Sequence, residues 1–193
     1  MITAIVLAAG EGSRFGKCKQ LMPWNGKPLL QHTLDRVNES AVDNVVVVLG
    51  ALADDIQKQI KFDRQRIVIN PDYERGMSTS LQAGLRAVDR ETEAAIIALG
   101  DQPFVEAKTI DALLDEYRRS QSPIVVPTYD GRRGNPVLID RSLFERALEI
   151  RGDVGFRAVF GRDNVAEVPV TDSGVVIDID TMEDFECRAR HSS

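Results

Sequence analysis

Cysteine and histidine are scarce in this 193-residue sequence, which contains two of each. Cys18 and Cys187 cannot build a disulfide framework, and with His32 and His191 they are too few for a Cys/His zinc site. Any bound metal is therefore expected to use carboxylate ligands. Apolar runs near the roughly 20 residues that span a bilayer are absent, as is a signal peptide, so we expect a cytoplasmic protein with no membrane partner.

The sequence also lacks an excess of positive charge. Its 24 Lys and Arg against 30 Asp and Glu give a formal net charge of −6, which argues against nonspecific binding to nucleic acid. An anionic substrate would need a local basic pocket. With 43% hydrophobic residues, the chain is expected to form one domain over residues 1–193 with a substantial core.

The first basic region follows the first apolar run. Residues 3–9 read as a strand buried on both faces, and residues 10–19 continue as a loop that contains three glycines and the cations Arg14, Lys17 and Lys19. Glycines let the backbone approach a ligand, and cations neutralise phosphate charge, so this loop suits a polyphosphate. Its spacing matches neither a dinucleotide-binding loop nor a Walker A loop. The alternative is an ordinary connection with a solvated basic patch.

Strand and helix patterns alternate along the chain, which predicts an α/β fold with a doubly wound, mostly parallel sheet. The predicted strands lie at 45–49, 66–69, 94–99, 123–127, 166–170 and 175–177. The predicted helices lie at 28–37, 53–61, 78–88, 107–119 and 142–150, with Ser78 or Thr79 capping the third of them.

An acidic residue stands where the strand at 94–99 ends. Ligands of open α/β sheets bind beyond the carboxyl ends of the strands, so Asp101 is expected near the basic loop. Polyphosphates bind Mg²⁺ between carboxylate and phosphate oxygens, which gives Asp101 a candidate metal role. The alternative is a turn-forming Asp before Pro103.

The residues Leu7-Ala8-Ala9-Gly10, Arg14-Phe15-Gly16 and Lys19 resemble the opening motif of the MobA-like nucleotidyltransferases. Further segments narrow the resemblance to the molybdenum cofactor cytidylyltransferases within that superfamily. These segments are Gly76-Met77-Ser78-Thr79-Ser80-Leu81, Gly100-Asp101-Gln102-Pro103, Gly131-Arg132-Arg133-Gly134-Asn135-Pro136-Val137, Gly152-Asp153-Val154-Gly155-Phe156-Arg157 and Asp178-Ile179-Asp180-Thr181-Met182-Glu183-Asp184.

The resemblance implies a Rossmann-like fold with a small acceptor-side β region and transfer of CMP from CTP to the terminal phosphate of the molybdopterin cofactor. It implies catalytic roles for Arg14, Lys19 and Asp101, and a Mg²⁺ site at Asp101 and Asp180. The implied nucleotide-binding residues are Leu7, Ala8, Ala9, Gly10, Gly12, Ser13, Arg14, Lys19, Ser78, Ser80 and Gly100. The implied acceptor-binding residues are Gln102, Arg132, Gly134, Asn135, Pro136, Asp153 and Arg157.

Several alternatives stay open at this point. A GTP-dependent guanylyltransferase for the same cofactor is the nearest, because only Ala9 favours CTP. A sugar-phosphate or polyol-phosphate nucleotidyltransferase and a noncatalytic cofactor-delivery protein are the others, and a transient complex with a recipient molybdenum enzyme fits either an enzyme or a carrier. Ser78, Ser80 and Asp153 also suit helix caps. The sequence does not reveal whether Cys18, which lies between two lysines, is reactive; that position is consistent with a lowered thiol pKa.

Overall fold

The computed structural model describes residues 1–10, 18–152, 164–179 and 183. The strands are β1 (Ile2–Ala8), β2 (Pro23–Trp24), β3 (Lys27–Pro28), β4 (Asn44–Leu49), β5 (Arg66–Ile69), β6 (Ala94–Leu99), β7 (Ile124–Tyr129), β8 (Arg132–Arg133), β9 (Val137–Asp140) and β10 (Val165–Pro169). The α-helices are α1 (Leu29–Glu39), α2 (Ala53–Gln59), α3 (Met77–Ala87), α4 (Ala107–Ser120) and α5 (Phe144–Leu148).

The main sheet is doubly wound and mostly parallel, as the alternating pattern predicts. Its strand order is β10-β7-β9-β6-β1-β4-β5, and β8 pairs with β7. In the middle of the sheet β1 lies parallel to both β4 and β6, whereas β9 runs antiparallel to β6 and β7. The carboxyl ends of β1, β4, β5 and β6 therefore lie along one edge.

Helices cover both faces of the sheet because the central strands are apolar on both sides. From β1, Ala4 and Val6 pack with α1, α2 and α4, while Ile5 packs with α3 and α5. On the second face α3 approaches the sheet very closely. A Cβ on Gly84 would clash with Ile5 Cγ2. Any larger residue here would displace the core, which explains why this helix contains a glycine despite the low helix propensity of glycine.

Two details differ from the sequence prediction. The helix α3 begins at Met77 with Gly76 at its N-cap and no side-chain cap, so the capping role for Ser78 or Thr79 was wrong. The predicted strand at 175–177 is instead a 3-10 turn, Ser173–Val176. The turn forms because Asp172 accepts a hydrogen bond from the backbone N–H of Gly174, an interaction that closes the chain locally and competes with strand pairing.

The helix predicted at 142–150 is shorter and mixed, because a 3-10 turn at Arg141–Leu143 leads into α5. The remaining helices match their predictions to within about two residues, the usual uncertainty of helix ends. In the part of the chain that the structure describes, no helix combines the length and apolar character needed to cross a membrane.

Candidate functional site

The carboxyl ends of β1 and β6 lie at a topological switch point of the sheet, and this position is here called the crevice. From β1 the chain passes through α1 to β4 on one side, whereas β6 pairs with β1 on the other side. Such a switch point opens a cleft between the carboxyl ends of the two strands. The strand ends are close here, because the N–H of Gly100 donates to the carbonyl of Leu7 at 2.9 Å and a Cβ on Gly100 would lie 2.9 Å from Ala8 Cβ.

An ion pair joins the two sides of this crevice. Lys19, from a 3-10 turn after the glycine-rich loop, places Nζ 2.8 Å from Asp101 Oδ2 just beyond β6. The Lys19 side chain is 9% exposed and that of Asp101 is 34% exposed, so the ammonium is largely removed from water. The other carboxylate oxygen, Asp101 Oδ1, is buried and has no hydrogen-bond partner among the residues that the structure describes. A buried carboxylate oxygen of this kind is a ready ligand for a cation.

Gln20 fixes the beginning of the glycine-rich loop, a role that the sequence reasoning missed. Its buried amide Nε2 donates to the carbonyl oxygens of Ala8 at 3.2 Å and Gly10 at 2.7 Å. The amide therefore holds the end of β1 in one conformation beside Lys19. Nothing in the sequence distinguishes the amide of Gln20 from one that points into solvent. Its position next to Lys19 was the only indication of its role.

The N-terminus of α3 lies at the same sheet edge. Asn70, which follows β5, donates through Nδ2 to Thr79 Oγ1 at 2.9 Å and to Ser80 Oγ at 3.0 Å. In contrast Ser78 Oγ is buried and has no hydrogen-bond partner within the described part of the chain. Among the nucleotide-binding residues predicted here, Ser78 thus keeps a hydroxyl available to a ligand, while Ser80 is held by Asn70, a residue that the sequence reasoning did not assign to the site.

The predicted acceptor segment packs against the turn after β10. The backbone N–H of Asn135 donates to Val175 O at 2.8 Å, and a Cβ on Gly134 would lie 2.3 Å from the same oxygen. The Asn135-Pro136 peptide is cis. Arg132 is exposed on the short strand β8, where its guanidinium is accessible to an anion.

The remaining predicted site residues are Gln102, those around the end of β1, and those outside the described part of the chain. The Gln102 side chain is buried and donates to Asp178 Oδ1 at 2.6 Å, so its amide nitrogen already has a partner within the chain. Leu7 and Ala8 end β1, and Ala9 and Gly10 follow it directly. The N–H of Ala51 donates to Ala9 O at 3.1 Å. The residues that lie outside the described part of the chain are Gly12, Ser13, Arg14, Asp153, Arg157 and Asp180.

The surroundings of the Cys18 thiol favour a raised pKa rather than a lowered one. Burial raises its pKa, an effect that backbone hydrogen bonds from Leu21 and Gln20 only partly oppose. A raised pKa means a smaller thiolate fraction at neutral pH, and the thiolate is the reactive form.

We therefore expect Cys18, in a Cys187→Ser variant, to be alkylated by iodoacetamide more slowly at neutral pH than a cysteine in an unstructured peptide. Its rate should continue to rise at alkaline pH, where the peptide rate has levelled off. Mass spectrometry of timed samples measures both rates. Faster alkylation of Cys18 than of the peptide at neutral pH would instead indicate a lowered thiol pKa.

Among the described residues, no three His, Cys, Asp or Glu side chains lie close enough together to form a complete metal site. Of the carboxylates in the described ranges, Asp101 has a buried oxygen to which no described residue donates a hydrogen bond. Mg²⁺ in nucleotide enzymes commonly uses one or two carboxylates together with phosphate oxygens and water. The donor set at Asp101 thus fits a cation that arrives with a nucleotide rather than one caged by protein.

Comparison with known proteins identifies a matching family model and several relatives. A family model described as "MobA-like NTP transferase domain" matches residues 4–168. The chain is 33% identical over 192 residues to nicotine blue oxidoreductase of Paenarthrobacter nicotinovorans, covering 94% of this chain and 93% of that protein. It is 25% identical over 185 residues to molybdenum cofactor cytidylyltransferase of Escherichia coli (strain K12), covering 95% and 93%.

A solved structure is similar over almost the whole chain. Rv0371c of Mycobacterium tuberculosis H37Rv has a TM-score of 0.90 at 31% identity, covering 98% of this chain and 97% of that one. Its complex with manganese gives a TM-score of 0.86 at 30% identity, covering 100% and 99%. These similarities cover nearly the whole of both chains.

Proposed function

Because this chain belongs to the MobA-like NTP transferase family, we propose that it transfers CMP from CTP to the terminal phosphate of the molybdopterin cofactor and releases pyrophosphate. Nucleotidyl transfer is the activity class of the family. The choice of CTP and of the pterin acceptor is supported by the resemblance of the acceptor-side motifs and by the relative from Escherichia coli.

One observation carries the proposal: the Lys19 ammonium and the Asp101 carboxylate meet at 2.8 Å between the ends of β1 and β6. A nucleoside triphosphate needs positive charge around its phosphates and a carboxylate that shares a cation with them. Both groups stand at the edge of the sheet where ligands of such folds bind. A purely structural ion pair would not require one buried carboxylate oxygen to remain without a partner.

The reaction requires positioning and charge neutralisation more than proton transfer. An oxygen of the acceptor phosphate, already ionised at neutral pH, forms a bond to the α-phosphorus of CTP while the bond from that phosphorus to the bridging α–β oxygen breaks. The leaving pyrophosphate carries away the electron pair of that bond. Lys19, with Arg14 from the glycine-rich loop, would neutralise the charge that grows on the leaving group.

A Mg²⁺ ion, when bound, would polarise the α-phosphate and neutralise its oxygens. Asp101 and Asp180 would hold it. Gln20 would keep the loop backbone in place around the phosphates, and Ser78 would offer its unpartnered hydroxyl to the nucleoside end. The manganese complex of Rv0371c is consistent with divalent cation binding in this fold.

On the acceptor side we expect Arg132→Ala to raise KM for the pterin substrate about tenfold while leaving KM for CTP unchanged, because a charge-assisted hydrogen bond to phosphate contributes about 1.5–3 kcal/mol. Steady-state kinetics with each substrate varied in turn measures this. Arg36→Ala removes a similarly exposed arginine, which pairs with Glu39 on α1, and serves as the control. An unchanged KM for the acceptor would assign Arg132 to a solvated surface.

The overall proposal is tested by pyrophosphate release with Mg²⁺ and molybdopterin cofactor, comparing CTP with GTP. Release with CTP supports both the reaction and the base. Release with GTP alone would favour the guanylyltransferase and would contradict the assignment based on Ala9. Release only with a sugar or polyol phosphate would identify another acceptor, and nucleotide binding without any release would favour a cofactor-delivery protein.

A second candidate follows from the 33% identity to nicotine blue oxidoreductase. Under this candidate the chain would reduce a conjugated heterocycle at the same crevice, with a nicotinamide cofactor as the hydride donor. Oxidation of reduced nicotinamide cofactor in the presence of nicotine blue, with no release of pyrophosphate from CTP, would favour the reductase. The buried Lys19–Asp101 pair favours the transferase, because hydride transfer does not need a carboxylate placed to share a cation with phosphate.

A further inference from the structure

The Lys19–Asp101 ion pair already neutralises the candidate cation ligand. The ammonium lies 2.8 Å from Oδ2, and Oδ1 has no hydrogen-bond partner among the described residues. A divalent cation that approaches Oδ1 is therefore repelled by the positive charge of the lysine. Because the Lys19 side chain is only 9% exposed, water screens this repulsion weakly.

The described part of the chain offers little to offset this repulsion. It contains no cluster of three metal-binding side chains that could outweigh the ammonium. A nucleoside triphosphate, in contrast, brings several anionic oxygens to the crevice. Such oxygens can accept hydrogen bonds from an ammonium and coordinate a divalent cation at the same time. The nucleotide is therefore the group that can compensate both positive charges.

Both members of the pair are attached to backbone that hydrogen bonds hold in place. Gln20 Nε2 donates to Gly10 O at 2.7 Å and fixes the 3-10 turn that begins with Lys19. Beyond β6 the N–H of Gly100 donates to a carbonyl oxygen of β1 at 2.9 Å, which fixes the turn that carries Asp101. A lysine carries its ammonium on a flexible stem with rotatable donors. The ammonium can therefore change its partner by rotation of the side chain alone.

We infer that the Lys19–Asp101 pair is an autoinhibitory contact. The ammonium binds Asp101 in the nucleotide-free protein and turns to the phosphates when a nucleotide enters, so that a divalent cation reaches Asp101 only together with the nucleotide. The inference rests on the proposed function, because it assumes that the phosphates of CTP lie in the crevice. Its consequence is that the free protein does not hold a divalent cation at Asp101 in the absence of substrate.

The test measures cation binding and nucleotide binding separately. Mn²⁺ is titrated into the nucleotide-free protein with free Mn²⁺ followed by electron paramagnetic resonance, and CTP is titrated by calorimetry in the presence of EDTA. Lys19→Met should lower the Kd for Mn²⁺ alone about tenfold, because the repelling charge is removed. It should raise the Kd for metal-free CTP about tenfold, because a charge-assisted hydrogen bond to phosphate is lost. A lysine that only stabilised the fold would not change the two constants in opposite directions.

Further variants show whether the effect comes from charge at Asp101. Lys19→Arg retains the positive charge, so its Kd for Mn²⁺ alone should stay near that of the wild type. The double variant Lys19→Met/Asp101→Asn should lose the tightened Mn²⁺ binding, because the freed carboxylate is gone. Lys27→Met removes the partner of Asp35, 2.6 Å away on α1. It should leave both constants unchanged and controls for the altered net charge.

A measurement on the wild type tests the exchange if Lys19→Met does not fold, which circular dichroism detects. The methylene group beside the Lys19 ammonium is observed by NMR in protein with isotopically labelled lysine. Its signal should shift when metal-free CTP is added and stay in place when the same concentration of Mg²⁺ is added alone. A signal that shifts with Mg²⁺ alone, or does not shift with CTP, would overturn the inference.

The binding results separate this inference from the proposed function. Unchanged Mn²⁺ binding by folded Lys19→Met, or equal tightening in Lys19→Arg, would overturn the autoinhibitory contact, whereas pyrophosphate release from CTP by the wild type would still support the transferase. Tightening that persists in Lys19→Met/Asp101→Asn would place the cation away from Asp101 and overturn the contact as well. A wild-type protein that binds no CTP would overturn the proposed function and the exchange with it.

Discussion

Asp101→Asn is expected to lower kcat for CTP-dependent pyrophosphate release about a thousandfold, which corresponds to about 4 kcal/mol of lost transition-state stabilisation. The reason is the loss of the anionic oxygens that would hold Mg²⁺ against the α-phosphate. The fold should persist, because the amide oxygen can still accept a hydrogen bond from Lys19. We also expect half-saturation to require more Mg²⁺, which steady-state assays over a range of Mg²⁺ concentrations measure.

The Lys27–Asp35 pair supplies a matched control for this substitution. Lys27 Nζ lies 2.6 Å from Asp35 Oδ2, and the Asp35 side chain is 31% exposed, close to the 34% of Asp101. Asp35→Asn should therefore disturb stability to a similar degree and leave turnover unchanged. Turnover by Asp101→Asn within a few-fold of the wild type would remove Asp101 from the proposed metal site.

Lys19→Met is expected to lower kcat/KM for CTP by about a hundredfold or more, the range found when one donor to a developing negative charge is removed. Methionine retains most of the buried stem but no charge. The substitution leaves the Asp101 carboxylate without its cation. Since Asp101 is one-third exposed, we expect the free energy of unfolding to fall by only about 1 kcal/mol.

The double variant Lys19→Met/Asp101→Asn separates two roles of the lysine. If Lys19 contacts phosphate, the double variant should be less active than Asp101→Asn alone, while its stability should recover because no unpaired carboxylate remains. Equal activity of the double variant and Asp101→Asn would mean that Lys19 serves only to hold Asp101. Lys27→Met, on the exposed control pair, should leave both turnover and CTP affinity unchanged.

Parts of this molecule could be predicted from sequence because local rules govern them. The apolar run of β1 and the proline-free helix patterns specify their elements wherever the residues lie in space. The position of Asp101 after an apolar strand was likewise sufficient to place it at the edge of the sheet. The 3-10 turn Ser173–Val176 was missed because the apolar pattern of Val175 and Val176 favours a strand. The turn is instead determined by a hydrogen bond that the Asp172 carboxylate accepts from the Gly174 N–H.

The sequence by itself determined the strand and helix order, the doubly wound architecture, the scarcity of metal-binding side chains other than carboxylates, and the two strand ends that carry the opening loop and Asp101. Only the tertiary structure decided which polar side chains have partners. Gln20 and Gln102 look alike in sequence, yet one binds the end of β1 and the other binds Asp178. Burial also raises the pKa of Cys18, a direction that its position between two lysines did not reveal. Desolvation and long-range hydrogen bonds depend on residues distant in the chain, so they become defined only when the fold brings those residues together.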